Sequence, residues 1–188
     1  MDAKAEEILD FWLHEVGPEG WYRGGAELDA ACLDRFGDLW ERGLRGEFAG
    51  WVVEPRGALA LAILLDQLPR NMFRGAAKAF ASDRRARITV KGAIAREIDL
   101  GIAGAERQFF YLPLMHSENL SDQSRSVRLF MLRYDSADSL RHARAHRDII
   151  RRFGRFPFRN AALGRETTPE EAAWLAAGGY MAEVEALA

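Results

Sequence analysis

Apolar positions recur at intervals of three and four residues along most of the chain, the spacing that lines one face of an α-helix. Ile8, Leu9, Phe11, Trp12, Leu13 and Val16 predict a first helix that ends at the Gly17-Pro18 break. Leu28, Cys32, Leu33, Phe36, Leu39, Trp40 and Leu44 predict a second, from about Ala26 to Arg45, and the two are expected to pack together. After Pro55-Arg56-Gly57, the segment from Ala58 to Leu68 is apolar on all sides, which predicts a helix enclosed by its neighbours. Its Ala and Leu content argues against a buried strand, since strands favour β-branched and aromatic residues. Gly75 separates it from Ala76 to Ala81, and Ser82 or Asp83 supplies an N-cap for a helix to about Leu100.

Residues 101–121 are the least regular part of the chain. Pro113 biases Leu112 away from the helical region, which puts Met115, His116, Ser117 and Glu118 at a loop-to-helix junction, with Ser117 as a candidate N-cap. Helices from about Asp122 to Tyr134 and from Ala137 to Phe153, joined by Asp135-Ser136, read as an antiparallel pair. Arg155 to Thr167 is a loop rich in Arg, Gly and Asn. Thr168-Pro169-Glu170-Glu171 is a capping box with proline at the first helical position, opening a last helix to Gly178. No segment has a strand period, so the expected fold is all-α: one domain, 1–188, of stacked antiparallel helix pairs.

With 48% apolar and 29% charged residues, the composition is that of a folded globular chain rather than a disordered one. The longest apolar run, the eight residues Ala58 to Leu65, falls well short of the roughly 20 that span a bilayer, and no membrane partner is expected. The acidic, amphipathic start from Met1 to Glu7 lacks the pattern of a secretory signal. A cytoplasmic location is the expectation. Cys32 is the only cysteine, which excludes an intrachain disulfide and any multi-Cys zinc site; it reads as a small buried hydrophobe in preference to a nucleophile. The net charge of −2 conceals 12 acids against 5 bases in residues 1–47 and 11 bases against 4 acids in 121–165. Mutual attraction of the two ends is the default reading. Nucleic acid is not an expected partner, because the acidic half competes for the basic residues and no exposed aromatics interleave with them.

Four segments carry candidate chemistry. Asp66, Gln67, Arg70 and Asn71 end the most buried helix, where an acid opposes the helix dipole unless Arg70, four residues on, compensates it; they form an internal strut or part of a ligand site. His116 and Glu118, two apart in an extended segment, are spaced for an acid/base pair. Two groups do not make a metal site, and Ser117 lacks a nucleophile-elbow context. His142 and His146 share a helical face with Ile149, Ile150 and Phe153, the pattern of core histidines more than of ligands, and no glutamate completes a metalloprotease motif. Arg155, Arg159 and Asn160, with Arg165 beyond, lie on a loop held by Phe156 and Pro157 and can present planar donors to a carboxylate or phosphate. No cofactor or metal is assigned.

These motifs form a set: Ile8-Leu9-Asp10-Phe11-Trp12, Leu64-Leu65-Asp66-Gln67 with Pro69-Arg70-Asn71, Tyr111 to Glu118, His146, Arg155-Phe156-Pro157, Leu163-Gly164-Arg165 and the Thr168 cap. Together they resemble the uncharacterised bacterial proteins catalogued as domain of unknown function 924. The resemblance implies an all-helical fold similar to tetratricopeptide-repeat proteins, a right-handed superhelix or bundle, and no established activity. The family's motif residues map onto Asp66, Gln67, Arg70, Asn71, His116, Ser117, Glu118, His146, Arg155, Arg159 and Asn160. One departure stands out: Phe158 occupies a position where the resemblance calls for histidine.

Two functions are weighed. In the first, the motif segments converge on a pocket for a small anionic molecule, Arg70, Arg155 and Arg159 holding the anion while His116 and Glu118 move a proton or position the ligand. In the second, a repeat-like adaptor binds a peptide in an open groove, a reading that rests on fold analogy.

Overall fold

The structure is a computed structural model and describes residues 2–187. Among these residues there are helices and turns and no strand. They divide into two compact units, the first ending at Pro113 and the second beginning at Leu114.

In the first unit α1 (Ala3–Leu9) is capped by Asp2, whose carboxylate accepts from Lys4 N at 2.9 Å. The helix continues as a π-wound segment, Asp10–Val16, and breaks where Gly17 takes φ 65°, as the Gly17-Pro18 pair predicts; α2 (Gly17–Gly20) is a single turn beyond. The long α3 (Ala26–Arg45) buries Cys32, Phe36, Leu39 and Trp40, and ends on Gly46 in the left-handed region. Burial pushes the Cys32 thiol up to about 12, which keeps it protonated and inert near neutral pH.

The enclosed helix is α4 (Pro55–Ala62), a π-wound turn Ile63–Gln67, and α5 (Leu68–Met72), all in one run. It does not stop at Leu68 as expected. Proline inside a helix loses a donor and crowds the carbonyl four residues back; here the preceding turn is widened, Leu68 N–H reaching Ile63 O five residues back. The carbonyl that Pro69 cannot serve belongs to Leu65. Ser82 Oγ donates to it at 2.6 Å and accepts from Trp40 Nε1 at 2.9 Å. Ser82 therefore makes no side-chain cap for α6 (Asp83–Ala95), although its position suggests one. α1 packs chiefly on α4, and α3 on α5; the expected contact of the first two helices is the Phe11–Phe36 pair, 5.0 Å between centroids. Residues Ile98–Gly101 and Gly104–Phe110 form 3-10 turns that bury Phe109 and Phe110.

The chain passes Pro113 within α7 (Leu112–Met115). In the second unit α8 (Leu120–Arg133) and α9 (Ala137–Phe153) are the expected hairpin, and α10 (Pro169–Ala176) and α11 (Gly179–Glu185) follow, α11 packing on α9. Ile149, Ile150, Phe156 and Trp174 form the core, with Phe153 and Tyr180 against it. The Thr168–Glu171 capping box is present as predicted.

Replacing Ser82 with alanine would strand both the Trp40 indole N–H and the Leu65 carbonyl in the interior. At about 1–3 kcal/mol for each buried group left unpaired, urea unfolding of Ser82→Ala is expected to show a loss of about 2–6 kcal/mol. A loss below about 0.5 kcal/mol would contradict the pairing.

Candidate functional site

The second unit gathers three of the four candidate segments. Its anchor is the start of α8, capped by Asn119, whose Oδ1 accepts from Ser121 N at 2.9 Å and Asp122 N at 3.3 Å. Ser117 is not the cap. Its hydroxyl donates to Asp122 Oδ2 at 2.9 Å and accepts from Asn119 N at 3.3 Å. Gln123, fully buried, donates from Nε2 to Met115 O at 2.5 Å and Ser117 O at 2.7 Å. The backbone on either side of His116 is thereby fixed to the first turn of α8.

Glu118 accepts from Arg165 through both guanidinium Nη atoms, at 2.8 and 3.0 Å, and from the Phe156 amide at 2.8 Å. Burial raises its pKa, but the Arg165 bonds, the Phe156 N–H and the nearby Arg159 charge outweigh that and hold the carboxyl below the usual range. Arg155 makes a bidentate bond to Glu171, 2.6 and 2.7 Å, and a third contact to Glu166 O at 2.8 Å. Glu171, 2% exposed, also accepts from Thr168 N at 2.8 Å and Asn160 Nδ2 at 3.2 Å. The Arg155 bonds, followed by the Thr168 N–H, lower its pKa from 4.5 to about 2. Glu118, Arg155 and Asn160 are thus engaged in folding the 155–167 loop onto α8 and α10.

Beside this clamp lies a group of rings. His146 Nδ1 sits 2.9 Å from His142 O; a carbonyl only accepts, so that nitrogen carries hydrogen and Nε2 is the acceptor of the neutral ring. Phe156, Tyr180 and His116 surround it, with centroid distances of 5.4, 4.8 and 6.1 Å. Burial first, then coupling to His116 and the Arg159 charge, drive the His146 pKa down from 6.5 to about 3, against the opposing bond to His142 O. His142 Nδ1 is hydrogen-bonded to the Tyr180 hydroxyl, whose pKa burial raises. Arg159 is 7% exposed, lies over the Phe156 ring at 4.5 Å, and donates to His116 O at 3.0 Å. Phe158 stacks on Phe156 at 5.2 Å and remains 43% exposed.

The fourth segment belongs to the first unit and has its own network. Arg70 donates to Asp66 at 3.3 Å, Asp83 at 2.7 Å and Ala79 O at 2.9 Å, while Gln67 Nε2 donates to Asp66 at 2.6 Å. Asn71 accepts from Arg74 at 2.8 Å, and Arg74 in turn makes a two-point bond to Asp29. This is the internal strut, extended by Asp83. No three His, Cys, Asp or Glu side chains among the described residues are grouped to hold a metal ion. No helix among them is long and apolar enough to cross a membrane.

Sequence reasoning misses Tyr180 and the second role of Glu171. Tyr180 is 38 residues from His142, with no local signal linking them. Glu171 reads as a helix cap, which it is, and nothing in that motif reports that the same carboxylate takes Arg155.

Residues 8–179 match the family described as "Bacterial protein of unknown function (DUF924)", and the chain belongs to that family. It is also similar to a solved structure, a protein of unknown function, ATU0120, from Agrobacterium tumefaciens. The two are 44% identical, with a TM-score of 0.87 over 92% of this chain and 97% of that one. No curated protein matches the chain.

Because folding depresses the Glu171 pKa, its contribution to stability is complete above the ordinary value of 4.5 and is lost as pH falls towards about 2. Melting temperatures of the protein and of Glu171→Gln are expected to differ at pH 6 and to converge through that window. A difference that stays constant down to pH 3 would contradict the assignment.

Proposed function

We propose that the chain is a small-molecule binding protein whose site is the His116, His146 and Arg159 face of the second unit. Its ligand is a small anion carrying a hydroxyl beside the anionic group. The observation that carries this reading is the convergence of those three residues on one ring cluster, around a histidine whose Nδ1 is committed to a backbone carbonyl. Neutral at physiological pH, His146 offers Nε2 as an acceptor for a ligand hydroxyl. Arg159, which donates to His116 O and lies over the Phe156 ring, brings a positive charge suited to a carboxylate or phosphate, and the His116 ring stands beside it. Tyr180 and Phe156 wall the site and lower its polarity, which strengthens those contacts.

Glu118, Arg155 and Asn160 fit a different role here. The Glu118 carboxylate, the Arg155 guanidinium and Asn160 Nδ2 hold the loop that carries Arg159, and so position the site. This departs from the expectation that Glu118 shares proton transfer with His116. The second unit's polar residues meet within one cluster instead of being scattered as anchors along a surface, which favours this reading over a peptide-binding adaptor.

A thermal-shift panel of hydroxycarboxylates and phosphomonoesters, each paired with the analogue lacking the hydroxyl, tests the reading. A ligand at 100 times its Kd adds about 2.7 kcal/mol to the folded state. The hydroxylated member is expected to raise the melting temperature, and His116→Ala or His146→Phe is expected to abolish the shift. A panel with no shift, or a shift that survives both substitutions, would overturn the proposal.

A further inference from the structure

The first unit has a cleft lined by residues that no motif singles out. The face of α6 opposite its buried Ala86, Val90, Ala93 and Ile94 presents Arg84, Arg85, Ile88, Thr89 and Gly92, with Arg96 just beyond the helix. These positions recur at three to four residues and so share one stripe. They form one wall of a cleft of about 500 Å³ closed on the other side by Leu44, Phe48, Val52 and Leu61, a volume within the range of small-molecule sites.

The cleft lining contains three arginines and no acid. Arg96 Nη2 donates to Val52 O at 3.1 Å, fixing one end. Arg85 lies over Gly46, where a Cβ would meet its Nη1 at 2.6 Å, so the glycine that ends α3 also makes room for the guanidinium. Neither Arg84 nor Arg85 has an ion-pair or hydrogen-bond partner among the described residues. The neighbouring acid, Glu47, is held by Arg42 at 2.7 Å and Arg45 at 2.8 Å, so it does not compete for them. Ile88, an apolar residue in the middle of the stripe, is 58% exposed. Unpaired guanidinium groups beside exposed apolar surface have a defined chemical complement: one anionic head on an apolar chain.

We propose that this cleft binds a single-chain anionic amphiphile, its carboxylate or phosphate head held by Arg84 and Arg85 and its hydrocarbon laid against Ile88, Leu44, Phe48 and Val52. Planar guanidinium groups suit either head through paired N–H bonds. The proposal is independent of the histidine face of the second unit.

Gly92 provides a clean test, because a Cβ there meets nothing within 4 Å and a helix-interior glycine is itself unfavourable. Gly92→Phe places a ring on the cleft wall from a position where its Cβ meets nothing. Isothermal titration of the full chain with decanoate, decyl phosphate and decanol below their aggregation limits is expected to give saturable binding of at least one anionic compound. Decanol should bind about tenfold or more weakly, a difference an Arg contact readily supplies. Gly92→Phe should abolish binding, and Arg84→Ala/Arg85→Ala should remove the preference for the anion. Saturation by decanoate alone assigns a carboxylate head, and by decyl phosphate alone a phosphate head. Equal binding of decanol, unchanged binding in both variants, or no saturation by either anion would overturn the proposal.

Discussion

A polar group removed from water must find a partner inside the protein, at a cost of about 1–3 kcal/mol when it does not, and this constraint organises both units. In the first, it acts on a backbone group. Pro69 takes a donor out of the most buried helix, the preceding turn widens to i→i+5, and Ser82 supplies the hydrogen that Leu65 O needs. Trp40 completes the chain of donors. One side chain thus ties α3, the enclosed helix and the start of α6 together.

In the second unit the same constraint acts on carboxylates. Glu171 and Glu118 are each surrounded by an arginine and a backbone N–H, which compensates much of the cost of desolvating them. The two clamps fold the 155–167 loop against the helices and place Arg159 beneath the backbone of His116. Beside the clamps lies the group of rings around His146. Among them His146 has Nδ1 committed to His142 O and Nε2 as an acceptor.

Much of the helical framework is legible in the sequence because burial imposes a 3.6-residue period on each amphipathic segment; Leu28 to Leu44 is the clearest instance. Caps with a local signature are legible too, as with Thr168 and Glu171. Features that depend on distant partners are not. Ser82 looks like an N-cap until Leu65 and Trp40 are placed beside it. Ser117 looks like one until Asn119, two residues on, proves better placed for the amides of Ser121 and Asp122. The Asp66–Arg70 strut is readable from its i, i+4 spacing, whereas the Asp83 carboxylate that completes it is not. Of the candidate site, the residue types are readable; the expectation that Arg70 joins Arg155 and Arg159 is not matched by its pairing, which is with Asp66 and Asp83 inside the first unit. Which charges neutralise one another is decided by pairings such as Glu118 with Arg165, 47 residues apart.

His146 is held neutral as the Nδ1–H tautomer, an acceptor set near Arg159 and among aromatic rings. Nitrogen-15 NMR of the histidine side chains between pH 4 and 8 measures both the proton's position and its pKa. The His146 ring is expected to remain neutral and protonated on Nδ1 across this range, in keeping with a pKa of about 3. A ring that titrates near 6.5, or one that carries its proton on Nε2, would contradict it.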